Sequence, residues 1–414
     1  MNHSIAPNKA ILENIASLTI LNALNMALPL VSVPYLIATI GSAYYGAYSI
    51  SYTILQYALL VGAFGFGLTT TKDISQHRND TQYVSKVFFS TIVARFILSL
   101  ISSIAFLFVV LFFFPRYLLL YLFGLGIIFG DILNPVWLFQ GMEKMKYMTI
   151  VNALSKIIFT LLIFIFIKAP NDYIYVTLLN SAGFVVAGII SFILAIRIFN
   201  IHYTRIEVYD ICSQIKEASV VFYSSAFVNL YNNSFVFIMG IFLSESSIGI
   251  YAAVEKIIKA AKSVVEPIST ALFPHIAKSF VGRPTSENVK VLFGYTKILV
   301  FPLFILSLGL FVFAPFICNT FLSSIAKESI SLIRLMSPLI IIGGMNYMLG
   351  VVGLINLGEQ KAWFGFLLVS SISAVIVLLV GIRFIDYYSA VLSATVAEML
   401  ICYFSISKLL KLAK

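Results

Sequence analysis

Charge is what this chain has least of. Asp, Glu, Lys and Arg make up 11% of its 414 residues, against about a quarter in a soluble domain. With 60% hydrophobic residues and a mean hydropathy of +1.01, this scarcity excludes a water-soluble fold and implies an integral membrane protein. Cysteine is nearly as scarce. Cys212, Cys318 and Cys402 lie far apart with no CxxC spacing, so there is neither a disulfide framework nor a zinc site. The four histidines, His3, His77, His202 and His275, fall in loops or near the ends of apolar segments, and none stands in a catalytic pattern with Ser or Asp. Catalytic residues, metal and cofactor are therefore all assigned as none, and the chain is not expected to be an enzyme.

The apolar runs divide into twelve segments of spanning length, about 20 residues each, near 12–36, 44–67, 87–113, 117–139, 150–168, 174–196, 219–243, 248–273, 294–315, 329–354, 363–383 and 389–407. The first is too long, and its flank too weakly basic, for a cleaved signal peptide, so it is expected to be a retained span. The bases outnumber the acids, 27 to 17. Such an excess is ordinary for a membrane protein that anchors its cytoplasmic loops with Lys and Arg, and no nucleic-acid partner is expected. One set of segment ends holds only Arg116, Lys168, Lys327 and Arg383, whereas the other holds eighteen basic residues, among them Lys72, Arg78, Lys144, Arg205, Arg283 and Lys414. The asymmetry predicts cytoplasmic N- and C-termini.

An internal repeat supports the same division. "TIGSAYYGAYS" (Thr39 to Ser49) aligns with "FLSESSIGIYA" (Phe242 to Ala252) at an offset of 203 residues, with Gly46 and Tyr48 matching Gly249 and Tyr251. Each copy joins the first and second spans of a six-span half, so the halves are parallel repeats. The expected organisation is a six-helix bundle over 1–200, a cytoplasmic linker over 201–218 and a second six-helix bundle over 219–414.

Five basic residues lie inside spans: Arg95, Lys256, Lys259, Lys262 and Arg334. On one continuous helix, Glu255, Lys259, Lys262 and Glu266 fall within an arc of about 60°. A charge at the centre of a span costs on the order of 2.5 to 3.5 kcal/mol on insertion scales, so the stripe should face protein or a water-filled cavity. One account is internal ion pairing at i,i+4, Glu255 with Lys259 and Lys262 with Glu266. The other is a cationic cavity for an anionic ligand such as a phosphate, favoured by Lys256, which has no acid three or four residues away. Arg95 fits either snorkelling to the interface or ligand contact. Asp131, with Asn134 and Pro135 close behind, fits a proton or cation site or a cap on groups freed by the proline. Glu398 in the twelfth span is a lumen residue or half of an interhelical pair.

Three stretches, "GAFGFGLTTTKDISQHRND", "NPVWLFQGMEKMKYMTIVNALSK" and "IGIYAAVEKIIKAAKSVVEPISTALFPHIAK", resemble the O-antigen and exopolysaccharide flippases of the Wzx type, within the superfamily of multidrug and oligosaccharidyl-lipid exporters. The resemblance implies an all-α integral membrane fold of about twelve transmembrane helices, in two six-helix bundles forming a V around a central cationic cavity. It implies transport of an undecaprenyl-diphosphate-linked oligosaccharide across the bacterial inner membrane by alternating access, coupled to a proton or sodium ion. The polysaccharide polymerase and chain-length regulator are the implied protein partners. Lys256, Lys259, Lys262 and Arg95 would then contact anionic groups, and Asp131, Glu255, Glu266 and Glu398 would serve ion coupling or charge balance. The alternatives are a cation-coupled multidrug antiporter, which favours an acidic or aromatic lumen, and a membrane-embedded polymerase, which needs a larger external loop than this chain has.

Overall fold

The computed structural model describes residues 9–280, 282 and 284–413, with the side chains of 9–16, 18, 224, 225, 227–233, 266–271, 274 and 275 outside the description. Among the described residues there is no strand, and each of the twelve expected segments is mainly helical. This follows from the solvent. In hydrocarbon each peptide group must find its partner within the segment, and a helix satisfies that requirement locally.

Two compact units are present. The first takes the described residues up to Ser32 together with Ala47–Asn233, and the second takes Val33–Gly46 and the chain from Ser234 on. The first helix, α1 (Lys9–Ala63), runs across the expected first and second spans with a kink at Gly41, whose φ of 82° and ψ of 165° are not helical. A positive φ is a glycine conformation, so the kink falls where the sequence permits it. The first unit continues with α2 (Phe66–Gln76), α3 (Thr81–Phe113), α4 (Leu118–Ile132), α5 (Val136–Gly141), α6 (Met145–Phe166) and α7 (Tyr173–Phe199). Next comes α8 (Val208–Phe242), which already includes residues 208–218 of the expected linker.

The second unit holds α9 (Glu245–Lys262), α10 (Val265–Phe280), α11 (Thr285–Phe321), α12 (Ala326–Met336), α13 (Pro338–Asn346), a π-helical stretch Tyr347–Leu354, α14 (Gln360–Ile385) and α15 (Tyr388–Leu412). Nine stretches of described residues are long and apolar enough to cross a membrane, and one of them, Thr19–Gln76, is 58 residues long and covers two expected spans. Neither α9 nor α10 is among the nine. α9 stops after 18 residues and carries Glu245, Glu255, Lys256, Lys259 and Lys262.

Packing is inverted relative to a soluble domain. Large apolar side chains such as Phe108, Phe112, Ile298 and Phe384 point outward, while Ser85, Ser90, Ser99 and Ser102 of α3 are buried. Lipid tails solvate the large groups as well as a core would, so helices associate through small residues that let backbones approach. α4 and α7 do this at Gly130 and Gly188, where an added Cβ on either would collide with the backbone of the other helix.

The second unit applies the same device to the internal repeat. A Cβ on Gly46 would collide with the carbonyl oxygen of Glu245, and one on Gly249 would collide with that of Ser42. Glu245 is the repeat equivalent of Ser42, and Gly249 that of Gly46, so the contact is reciprocal. The Ser42 and Ser246 hydroxyls meet beside it at 2.7 Å. The two aligned segments therefore cross glycine to backbone, which explains why glycine occupies the matching position in both.

Candidate functional site

The intramembrane charges gather in two places, one per unit. In the second unit, Ser244 caps α9 by accepting from the Ser247 N–H at 3.2 Å, and Glu245 in the first turn suits the positive end of the helix. The helix then presents Glu255 and Lys259, paired at 3.1 Å, with Lys259 half exposed. This i,i+4 pair is the one expected from spacing.

The second expected pair, Lys262 with Glu266, falls on a side chain outside the described residues, but the backbone between the two is not one continuous helix. α9 ends at Lys262 and α10 begins at Val265. Pro267 has no N–H to offer the Ser263 carbonyl four residues earlier, and the helix breaks there. Glu266 thus belongs to a different helix from Lys262 and leaves the continuous arc; its side chain lies outside the described residues. Lys262 pairs with Glu398 of α15, Nζ to Oε1 at 2.6 Å. Asn346, at the end of α13, donates from Nδ2 to Glu398 Oε2 at 2.7 Å and to the Glu398 carbonyl at 2.8 Å.

Gly343 makes room for this cluster. An added Cβ there would lie 2.7 Å from Lys262 Nζ. Asn346 is 4% exposed, and its Oδ1 accepts from no protein donor among the described residues. A buried amide oxygen beside a carboxylate is a fitting ligand for a hard cation or a protonated group. The cluster therefore joins a cation, an anion and a buried acceptor from three helices. Lys256 lies one residue beyond Glu255 and is half-buried.

In the first unit Arg95 is 4% exposed. Its Nη2 meets Asp131 Oδ2 at 2.5 Å and its Nη1 donates to the Asn134 carbonyl at 3.3 Å. α4 ends at Ile132 and α5 resumes at Val136, because Pro135 cannot continue the hydrogen-bond ladder. At the break the Asn134 carbonyl accepts from the Val136 N–H at 2.9 Å as well as from Arg95. Asn134 Nδ2 then donates to Asn152 Oδ1 of α6 at 3.1 Å. The structure thus pairs Arg95 with Asp131 beside a proline break, a contact that none of the sequence readings of either residue contained.

Sequence reasoning singled out neither Asn346 nor Gly343. Their only signal is an asparagine after two glycines in an apolar run, "IIIGGMNYM", and nothing in that run says which carboxylate the amide will meet. Arg334, the remaining intramembrane base, donates to the Phe311 carbonyl at 3.4 Å and lies over the Phe311 ring. It belongs to neither cluster. Among the described residues, no group of three or more His, Cys, Asp or Glu could hold a metal.

An all-α, multi-pass chain with charged clusters inside its spans has the build of a membrane transporter. Over 97% of this chain, its fold superposes on the lipid II flippase MurJ in its inward closed conformation, with a TM-score of 0.74, 14% identity and 89% of that chain covered. An inward-facing multidrug resistance transporter of the MATE family gives 0.73 at 12% identity over 98% of this chain and 99% of that one. Residues 11–280 match the family of polysaccharide biosynthesis proteins, and the chain belongs to that family. A candidate O-antigen transporter of Escherichia coli (strain K12) is 28% identical over 273 residues, 65% of either chain. Another, of Shigella dysenteriae, is 27% identical over 284 residues, 67% of this chain and 70% of that one. The match thus spans about two thirds of the length of these relatives.

Proposed function

We propose that this protein is a flippase that carries an undecaprenyl-diphosphate-linked oligosaccharide, the repeat unit of O-antigen or another surface polysaccharide, from the cytoplasmic to the outer leaflet of the bacterial inner membrane. The observation that carries the proposal is the lysine-bearing α9. Three ammonium groups, Lys256, Lys259 and Lys262, lie in an expected span of a chain from the polysaccharide biosynthesis family. Half-exposed Lys259 is the one best placed to meet a diphosphate.

Transport proceeds by alternating access, as in other carriers built from repeats, and both termini are cytoplasmic. Glu398 is the coupling carboxylate on this reading, because it lies within a span and meets both a cation, Lys262, and the amide of Asn346. Arg95 and Asp131 compensate each other and serve as charge balance. The MATE likeness is one of fold alone, and three lysines in one short helix oppose a lumen made for organic cations.

The test has two arms. Mass spectrometry of lipid extracts after removal of this gene alone should find a completed, unpolymerised polyprenyl-diphosphate oligosaccharide. Lys259→Ala should reproduce that accumulation at wild-type membrane abundance, while Lys259→Arg retains assembly, since either cation attracts phosphate. No accumulation on deletion overturns the flippase reading. Accumulation on deletion with full function of Lys259→Ala overturns only the role of Lys259.

A further inference from the structure

The first unit holds a lysine that neither the sequence pattern nor the ion pairs above account for. Lys156 lies midway along α6, half-buried, four residues after Asn152 and so on the same helix face. No carboxylate lies within ion-pair distance of it among the described residues. Its ammonium donates to one side chain, the Oδ1 of Asn25 on α1. One of three donors is thus used.

The accepting amide shapes what can join it. With Oδ1 taken by Lys156, Asn25 is left with its NH₂, a donor. Asn22 stands three residues earlier on the same side of α1, and both asparagines are exposed within an expected span. An amide facing lipid there would be costly, so such groups face water or a ligand. Further polar groups lie on the same side of α6. Asn152, one turn before Lys156, meets Asn134 at 3.1 Å, and the Asn134 carbonyl accepts from Arg95, the partner of Asp131. That ion pair is electrically balanced, whereas Lys156 has an amide oxygen and no carboxylate as its partner among the described residues.

We infer that Lys156, with the amides of Asn25 and Asn22, is an anion-binding subsite of the first unit that holds an anionic oxygen of the transported headgroup. The inference rests on the flippase reading and adds a second cationic contact to α9. The anionic oxygen comes from the carrier diphosphate or from an acidic sugar, and both present the same chemistry to an ammonium. Asparagine NH₂ groups then donate to neighbouring phosphate or sugar oxygens.

The experiment measures equilibrium binding to the full chain in nanodiscs of three probes: a short-chain polyprenyl diphosphate, the same lipid bearing N-acetylglucosamine, and the same lipid bearing glucuronic acid. Lys156→Met, which keeps the apolar stem and removes the charge, should weaken binding about tenfold with an unchanged thermal midpoint. Lys156→Arg should stay near wild type. A loss on all three probes places the carrier phosphate at Lys156, and a loss confined to the glucuronic acid probe places the acidic sugar there; either supports the subsite. Wild-type affinity of Lys156→Met for every probe, with Lys259→Ala weakened, overturns the subsite and leaves the flippase reading standing. Failure of the wild-type chain to bind any probe overturns both.

Discussion

Lys262 shows how one side chain's value depends on its partner. In a span, either member of the Lys262–Glu398 pair alone is a partly buried charge, and removing one partner costs less than the roughly 3 to 5 kcal/mol of a fully buried pair. Glu398→Ala should therefore lower the thermal midpoint, and adding Lys262→Met should recover most of the stability without recovering transport. Recovery of transport by that double change would mean the pair is only structural. A second residue-scale expectation concerns Glu143, in the loop between α5 and α6. Its hydrogen bond from Arg78 at 2.7 Å, reinforced by the Arg78 charge, holds its carboxyl below the ordinary glutamate range. A depressed folded pKa means stability present above the unfolded value and lost as pH falls through the folded one. Both side chains are more than a third exposed, so water screens the gain to about 0.5 kcal/mol or less. Wild type should unfold slightly above Glu143→Gln at pH 7, and the gap should close below about pH 4. A gap that widens on acidification would reverse the sign.

Elements in this chain meet through what is missing from them. Gly46 and Gly249 allow the two repeat segments to touch, and a Cβ at either position meets a carbonyl oxygen of the backbone, which cannot rotate away as a side chain does. Gly46→Ala and Gly249→Ala should each destabilise by about 1 to 3 kcal/mol, the usual range for overpacking, measured as a lower midpoint in nanodiscs. Similar losses at the two positions would agree with the reciprocal contact; a neutral change at one of them would not. Gly343 makes the contrast, because there the added Cβ meets the flexible end of Lys262. Helix breaks are the other element-scale device. Each unit interrupts a helix next to an asparagine, at Asn134 before Pro135 and at Asn346 before the π-helical stretch. In both cases that residue bonds a charged side chain. Irregular backbone inside a membrane is tolerated where protein or water can satisfy it, and these two asparagines take part in doing so.

At the scale of the whole molecule the open quantity is orientation. The excess of Lys and Arg at one set of segment ends predicts cytoplasmic reporters at Arg78, Glu143, Arg205 and the C-terminus, and the opposite side for Asn171, Ser246 and Tyr387. Alkaline phosphatase and green fluorescent protein fusions read the two sides in opposite senses. A C-terminus outside the cytoplasm would refute the even number of crossings, and with it the parallel arrangement of the repeats.

The sequence by itself determined that the chain lies in a membrane, where its helices fall, that two segments repeat, and that charge concentrates near residues 255–262. Each of these follows from composition or from a period along one helix, which local geometry fixes. The Glu255–Lys259 pair was legible for that reason: i and i+4 are neighbours on any α-helix. Tertiary structure decided the rest. Glu398 is 136 residues from Lys262, and Asp131 is 36 from Arg95; no periodicity links such positions, since only helix packing sets which faces meet. The helix that would have carried both Lys262 and Glu266 is interrupted at Ser263 and Val264, close before Pro267, a break that a uniform rotation of 100° per residue ignores. Lys156 looked like a basic residue near a segment end, and only the approach of α1 to α6 set it beside an amide, with no acid to neutralise it among the described residues.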